Sequence, residues 1–244
     1  MNPNHPRVTL ALIAYNQEKY IRDAIACALA QNYSPLQIIF SDDCSEDKTF
    51  QIIQEELYCY NGPHDILLNK NNCNLGIGAH INLIMTLSDG DYVVAAAGDD
   101  KSAPNRVSRI VDYFSSNPDC YSVYSNMKII DSNNVAYNDW VDGAFEHVNK
   151  DLLNLCLHGT HVFGCTQGWS RVLFDVFGPI EDGVLHEDHV IPFRASLLGK
   201  VLFINEVLVL YRRHENNIFK ENSEILINKS VYESRRKFRA PSIV

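Results

Sequence analysis

Blocks of apolar residues alternate with polar segments along the first hundred residues of the chain. Residues 8–14 are nearly all apolar and β-rich, as is typical of a strand buried on both faces. After them, Ile21, Ile25 and Ala28 recur at the spacing of one helix face. Further strands are predicted over 37–41, 65–68 and 92–97, and further helices over 49–60 and from about 79 to 87. This alternation predicts an α/β fold whose parallel strands are joined by right-handed crossovers.

The second half of the chain continues the pattern less regularly. The same reasoning predicts strands over 121–130, 161–170 and 201–211 and helices over 105–116 and 171–177. A last helix follows the polar residues 186–189, and its predicted inward residues are Val190, Phe193, Leu197 and Leu198. Residues 135–160 show little periodicity. We expect a single domain over residues 1–220, followed by a polar and basic tail over 221–244.

Two pairs of adjacent aspartates come directly after predicted strands. Asp42 and Asp43 follow the second strand, and Asp99 and Asp100 follow the fourth. Adjacent carboxylates repel each other and need water, a basic group or a cation nearby. A solvated turn would explain such a pair. However, ligands of parallel sheets bind beyond the carboxyl ends of the strands, so the position of both pairs favours a ligand site with Mg²⁺ or Mn²⁺.

A cluster of four polar residues precedes the last predicted helix: His186, Glu187, Asp188 and His189. The two acids could serve only to favour the start of that helix, where the dipole also favours their charged form. The histidines invite a zinc hypothesis, but the cluster lacks the H-E-x-x-H spacing that places two histidines on one helix face. A second cluster, Arg212-Arg213-His214, follows the last strand and could be an exposed edge or a clamp for phosphate.

Composition narrows the functional classes. The chain has 244 residues and a net charge of −9, so binding to a nucleic-acid backbone is not expected as its main task. No apolar run approaches the roughly 20 residues of a membrane span, and the first residues do not resemble a secretory signal. The seven cysteines contain no C-x-x-C pair, which argues against zinc-ribbon and thioredoxin-like sites. We therefore expect a cytoplasmic protein with reduced thiols.

The basic run at residues 235–239 allows two interpretations. It could be the solvated end of a helix. It could also bring the protein to the anionic inner face of a membrane as a peripheral contact.

In their order and spacing, these motifs resemble those of inverting family-2 glycosyltransferases, which have the GT-A fold. Residues 12–16 resemble the family's first strand and its Tyr-Asn turn, and residues 41–49 resemble its "DDxSxDxT" segment. The remaining likenesses are an N-x-G loop at 74–76, a metal motif at 97–100, an "ED" motif at 187–188 and a C-terminal element at 211–214. The likeness covers residues 8–217. One departure is Ala97, where many relatives have a further aspartate.

The resemblance implies a Rossmann-like, mixed and mostly parallel sheet flanked by helices, and a nucleotide-sugar donor, with a UDP-sugar as the expected kind. It implies a glycan or lipid-linked acceptor, Mn²⁺ or Mg²⁺ as cofactor, and a role in bacterial surface polysaccharide synthesis. The implied metal ligands are Asp100 and His214, and the implied diphosphate ligands are Arg212 and Arg213. The implied nucleotide-binding residues are Ala14, Tyr15, Asn16, Asp43 and Asp99. Asp188 would be the catalytic base, and Glu187 would orient the acceptor.

Two other functions fit parts of the same pattern. A nucleotidyltransferase also uses paired carboxylates beside a nucleotide, but its usual glycine-rich first loop with a basic residue is not found at residues 14–19. A protein that binds nucleotide-sugars without transferring them would keep the same motifs. Donor hydrolysis with and without Mn²⁺ distinguishes these alternatives from a transferase.

Overall fold

A computed structural model of the chain describes residues 5–136, 162–215 and 217. The predicted tail at 221–244 lies outside this part of the chain, as does nearly all of the aperiodic segment at 135–160.

The described strands form one mixed sheet of eight strands, in the order β3-β2-β1-β4-β7-β6-β8-β5. Their bounds are β1 Val8–Ala14, β2 Leu36–Asp42, β3 Asp65–Lys70, β4 Tyr92–Ala97, β5 Lys101–Ser102, β6 Cys120–Ile130, β7 Gln167–Ser170 and β8 Lys200–Arg212. Strands β1 to β4 pair in parallel, and β6 pairs in parallel with β8. Strand β7 is antiparallel to β4 and β6, and β5 is antiparallel to β8.

Helices cover both faces of the sheet. Their bounds are α1 Ile21–Leu29, α2 Thr49–Tyr58, α3 Ile77–Leu87, α4 Arg106–Ser116, α5 Val172–Phe177 and α6 Glu187–Leu198, and a 3₁₀ turn covers Gly164–Thr166. On one face, Leu10 and Leu12 of β1 belong to a core shared with α1, α2 and α4. On the other face, Ala11 of β1 belongs to a core shared with α3, α5 and α6. Successive residues of a strand point to opposite faces, so the apolar run of β1 serves both cores.

The strand order creates a crevice beside β1. The chain moves outward from β1 to β2 and β3, and then returns to place β4 on the other side of β1. Such a reversal of strand order is where ligands of open α/β sheets bind, beyond the carboxyl ends of the strands. Asp43 follows β2, Tyr15 follows β1, and Asp99 follows β4, so these three residues lie along one edge of the sheet.

The structure corrects the prediction for the inward face of α6. Phe193, Leu197 and Leu198 are 39%, 46% and 36% exposed, whereas Ile191 and Ala195 are fully buried against the sheet. Helix α6 carries apolar residues on several of its sides, so the helical spacing matched two different faces of the helix. Contact with the sheet, which the sequence does not show, selects one of them.

Two local predictions also change. The strand expected over 161–170 is shorter, because the 3₁₀ turn precedes β7. The two-residue strand β5 was not expected, since its residues are polar or charged and pair with β8 far along the chain. Within the described residues, no helix is both long and apolar enough to cross a membrane.

Candidate active site

The turn after β4 brings Asp99 and Asp100 to the sheet edge. The N–H of Gly98 donates to the carbonyl of Ile13 at 2.9 Å, which ties the turn to the end of β1. A side chain at position 98 would meet the ends of the Gln17 and Ile21 side chains, so glycine favours this close approach. Asp100 then closes the turn, as its N–H donates to the carbonyl of Ala97 at 3.2 Å.

The carboxylate of Asp100 is only half satisfied. Its Oδ1 accepts a hydrogen bond of 2.8 Å from the backbone N–H of Arg212. Its Oδ2 is buried and accepts no hydrogen bond in the described part of the chain. Desolvation, and then the neighbouring Asp99 charge, raise the pKa of Asp100 well above its usual value. A buried acceptor of this kind fits a divalent cation, which would favour the ionised carboxylate.

The burial of Arg212 argues against the role in diphosphate binding that we predicted for it. Its side chain is 1% exposed, and its Nε donates to the carbonyl of Asp99 at 2.8 Å. Its two terminal nitrogens donate to Asp131, Asp23 and Asn134. With four of its five N–H groups used inside the protein, Arg212 fixes the Asp99-Asp100 turn and does not face a ligand. Strand β8 buries it, which the sequence alone did not reveal.

A second buried arginine lies beneath the same turn. Arg106 is fully buried, and its guanidinium donates to the carbonyl of Ala95 at 2.6 Å and to the hydroxyl of Ser102 at 3.0 Å. Desolvation lowers its pKa to about 10. Our sequence analysis missed this residue. The sequence does contain a signal of its burial. Arg106 lies four positions before the inward Ile110 of α4, so both residues are on the same face of that helix.

His214 lies beside Asp99. Its Nε2 is 3.0 Å from Oδ2 of Asp99, and its ring packs on Tyr20 with centroids 4.7 Å apart. The Arg212 guanidinium lies 4.7 Å from the centroid of the same tyrosine ring. Thus the predicted ligand His214 contacts Asp99, which is the neighbour of Asp100 in the chain. Arg213 is half-buried and its backbone N–H donates to the carbonyl of Ile130 at 2.8 Å.

The predicted base pocket begins where β1 ends. The carbonyl of Ala14 accepts from the N–H of Asp43 at 2.9 Å, which joins the ends of β1 and β2. Tyr15 is 41% exposed, so its ring is accessible to a ligand. Asn16 has a positive φ of 54°, and its side chain accepts from the N–H of Glu46 at 2.8 Å. Asparagine tolerates this conformation better than most residues, which explains its place in the turn.

Asp43 holds a loop as well as lining the edge of the sheet. It is 4% exposed, and its Oδ1 accepts from Asn71 at 2.7 Å and from the N–H of Leu75 at 2.9 Å. Its Oδ2 accepts from the N–H of Gly76 at 3.1 Å. Two of these hydrogen bonds anchor the predicted N-x-G loop on this carboxylate and the third holds Asn71, so one lone pair of Oδ2 remains for a further donor.

A buried histidine supports Asp43 from below. His80 is 1% exposed, with Nδ1 3.8 Å from Oδ2 of Asp43 and Nε2 2.6 Å from the hydroxyl of Ser41. Desolvation lowers the pKa of His80, which favours its neutral form. The order Asp43, His80, Ser41 resembles a catalytic triad. However, Ser41 is fully buried, so it cannot act as a nucleophile on a substrate.

Glu187 and Asp188 begin α6 and lie against the 3₁₀ turn. Asp188 accepts a hydrogen bond from the backbone of Gly164, and Glu187 packs so closely on Gly164 that a side chain there would collide with its carboxylate. Desolvation and the charge of Asp188 raise the pKa of Glu187 to about 7. Desolvation also raises the pKa of Asp188, although the charges of His189 and His186 act in the opposite direction. Burial of Asp188 therefore acts against the ionised form that the helix start was expected to favour.

The 3₁₀ turn connects the two carboxylate sites. Gly164 contacts Glu187 and Asp188, while the thiol of the next residue, Cys165, interacts with the carboxylate of Asp100. Desolvation raises the pKa of Cys165 well above its usual value, which favours the neutral thiol. One short turn thus contacts both the predicted metal ligand and the predicted base.

A family model described as glycosyl transferase family 2 matches residues 9–177, which is more than half of the chain. The chain belongs to glycosyl transferase family 2. Solved structures support the GT-A fold for this family-2 chain. TarS of S. aureus (residues 1–349), solved with UDP-GlcNAc, has a TM-score of 0.69 and 17% identity, over 95% of this chain and 65% of TarS. The mannosyltransferase PcManGT of Pyrobaculum calidifontis, solved with GDP-Man and Mn²⁺, has a TM-score of 0.66 and 14% identity, over 88% of this chain and 59% of PcManGT.

Relatives by sequence are longer than this family-2 chain. An uncharacterized protein of Mycobacterium tuberculosis is 26% identical over 237 residues, which cover 95% of this chain and 63% of that protein. An uncharacterized glycosyltransferase of Rickettsia typhi is 27% identical over 220 residues, which cover 88% of this chain and 66% of that protein. The chain therefore spans about two thirds of the length of these relatives.

Proposed function

We propose that this chain is a metal-dependent inverting glycosyltransferase, which moves a sugar from a nucleotide-sugar to a hydroxyl of a glycan or lipid-linked acceptor. The observation that carries this proposal is the buried Oδ2 of Asp100, which has no hydrogen-bond partner in the described part of the chain. Asp100 and His214 would hold Mn²⁺ or Mg²⁺ at this place. When bound, such an ion offsets the negative charge of a diphosphate leaving group.

The donor would lie along the edge of the sheet formed by the ends of β2, β1 and β4. Asp43 has a lone pair for the imide N–H of a uracil, and the exposed ring of Tyr15 can pack against the base. Asp99 would contact the ribose or sugar, and Arg213 would bind the diphosphate. The UDP-GlcNAc in TarS supports a uridine donor, whereas the GDP-Man in PcManGT shows that a similar fold serves another base.

Asp188 would accept the proton of the acceptor hydroxyl. As that oxygen bonds to the anomeric carbon from one side, the bond from this carbon to the diphosphate breaks on the other, and the configuration inverts. The raised pKa of Asp188 brings it nearer to neutral pH, which makes it a stronger base once ionised. Glu187, held against Gly164, would orient the acceptor.

The test is a thermal-unfolding screen of UDP, GDP and other nucleoside diphosphates, with and without Mn²⁺. A ligand that binds only the folded state raises the unfolding temperature. We expect stabilisation by UDP that depends on Mn²⁺ and is lost in Asp100→Asn. Release of free sugar from the matching donor then distinguishes a transferase from a protein that only binds the donor. Stabilisation by every diphosphate without Mn²⁺ would contradict the proposal.

For the setting, we propose bacterial surface polysaccharide synthesis at the inner face of the membrane, with the basic tail as a peripheral contact. The support is the basic run at 235–239 and the resemblance described above. Co-sedimentation with anionic and neutral vesicles tests the tail. A tail that does not favour anionic vesicles would remove this part of the proposal.

A further inference from the structure

Three side chains at the start of α6 converge outside the proposed donor site. One ligand atom from each of His186, Asp188 and His189 lies within 4.8 Å of the other two. The two imidazole rings are stacked, with centroids 5.2 Å apart. Both histidines are exposed, while Asp188 is half-buried. In the part of the chain that the structure describes, no other group of three potential metal ligands comes together in this way.

Local geometry explains why three of the four polar residues converge. His186 precedes the helix and His189 lies in its first turn, and residues three apart are neighbours on a helix surface. Glu187 instead packs on Gly164, which takes it away from the cluster. Asp188 is held by the backbone of the same glycine. The cluster lacks the H-E-x-x-H spacing, and the structure nevertheless brings the two histidines together.

We propose that His186, Asp188 and His189 bind a divalent transition-metal ion of the Zn²⁺ type. Tetrahedral zinc with bonds of roughly 2.1 Å holds its ligand atoms about 3.4 Å apart. The three atoms therefore need to approach by at most about 1.4 Å, which rotation of the two exposed histidines supplies. Three protein ligands would leave the fourth position of the ion to water.

These three ligands favour a different metal from the one expected at the proposed donor site. Two imidazoles and one carboxylate suit Zn²⁺, whereas Mg²⁺ prefers oxygen ligands such as those of Asp99 and Asp100. Zinc binding should therefore persist when Mg²⁺ is present in large excess. An ion at this place would also occupy the carboxylate of Asp188 and keep it from an acceptor hydroxyl, a consequence that rests on the proposed function.

The experiment measures Zn²⁺ binding by calorimetry to the full chain, freed of metal and held in millimolar Mg²⁺. We expect one ion per chain, with an affinity reduced roughly 10-fold or more in His186→Asn and in His189→Gln. The matched control is His5→Gln, which removes an exposed histidine elsewhere. This control should bind zinc as the wild type does.

Co²⁺ in place of Zn²⁺ identifies the ligands independently of affinity. Nitrogen and oxygen ligands should give visible bands of a four- or five-coordinate ion without the intense near-ultraviolet band of a thiolate, which the exposed Cys59 or Cys73 would produce. These bands should disappear in His189→Gln. The proposal is overturned if zinc does not bind, if both histidine variants bind it unchanged, or if the thiolate band appears. These readouts report binding alone, so they do not depend on whether the chain transfers sugar.

Discussion

The backbone N–H of Arg212 holds one oxygen of Asp100 at 2.8 Å, and the other oxygen of that carboxylate is buried without a partner in the described part of the chain. The protein therefore fixes the direction of the carboxylate but does not neutralise it. An uncompensated buried charge costs stability, and a cation would recover that cost. We therefore expect the stability of the chain to depend on pH and on the proposed metal ion.

Replacement of Asp100 by Asn should stabilise the metal-free protein at neutral pH. Because the pKa of Asp100 is raised above its unfolded value, its contribution to stability is present at low pH and is lost as pH rises through the folded pKa. Asn keeps an acceptor for the Arg212 N–H and removes the charge. We expect the unfolding temperature of Asp100→Asn to exceed that of wild type at pH 7, and the difference to fade toward pH 4.

The same variant should lose its response to metal. Mn²⁺ should raise the unfolding temperature of the wild type but not of Asp100→Asn, and sugar transfer should fall at least about 100-fold. Thermal unfolding with and without Mn²⁺, at two pH values, checks both parts. A variant that is less stable than wild type at pH 7 and still responds to Mn²⁺ would place the cation elsewhere.

Arg212→Ala should act mainly on folding. It removes a buried guanidinium from Asp23, Asn134 and the Tyr20 ring, and loss of one member of such a buried network costs about 3–5 kcal/mol. Arg213→Ala is the matched neighbour, and we expect it to weaken nucleoside diphosphate binding with a smaller loss of stability. Urea unfolding and calorimetry with UDP measure the two effects. If Arg212→Ala weakened UDP binding while Arg213→Ala mainly lowered stability, Arg212 would be the diphosphate ligand.

Asp43→Asn should weaken both the fold and nucleotide binding. The variant turns an amide group toward backbone donors of Leu75 and Gly76, so we expect about 1–3 kcal/mol lower stability. Asn71→Ala is the control, because it frees the same loop without altering the carboxylate. If UDP affinity falls equally in both variants, Asp43 acts only through the loop. A larger fall in Asp43→Asn supports direct contact with the base.

Asp188→Asn should reduce turnover by about 10²–10⁴-fold, which is the usual contribution of a general base. Donor binding should stay near wild type, because Asp188 lies at the start of α6 and the donor is proposed to lie at the ends of β2, β1 and β4. Glu187→Gln is the comparison, with a smaller effect on turnover. If Glu187→Gln lost turnover while Asp188→Asn kept it, the catalytic base would be Glu187.

Glu187→Gln also has a signature in stability. The pKa of Glu187 is about 7 in the folded chain against an ordinary 4.5, so wild-type stability should fall as pH rises through this interval. The Gln variant lacks this titration, and its stability should change less between pH 5 and pH 8. Unfolding by urea across that range measures the difference. Parallel curves for the two proteins would show that Glu187 is not buried as described.

The sequence predicted those parts of the fold that depend on local pattern. Residues 8–14 and 92–97 were bounded correctly because their strands are apolar on both faces and end at polar turns. The positions of Asp43 and Asp99 at strand ends followed from the same pattern. Both features depend on residues that are near in sequence or lie in adjacent parallel strands. The alternation of strands and helices determines such neighbours.

The burial of Arg212 could not be predicted in this way. Asp23 and Asp99, which accept its hydrogen bonds, are 189 and 113 residues away along the chain. An arginine after an apolar strand has the same local pattern whether it faces solvent or the interior. The convergence of His186 and His189 could not be predicted for a similar reason. It depends on where α6 begins and on Gly164, against which Glu187 packs away from the two histidines.

Strand β8 supplies the N–H that holds Asp100, and His214 follows directly after it. A ribosome makes the chain from its N-terminus, and a domain generally folds as a unit once its parts have emerged. The first four strands and the Asp43 loop are complete more than one hundred residues before β8. The edge proposed to recognise a nucleoside therefore leaves the ribosome first, and the proposed cation site can form only when the last described strand has docked. A nascent chain thus lacks the proposed cation site until almost all of the described domain has been made.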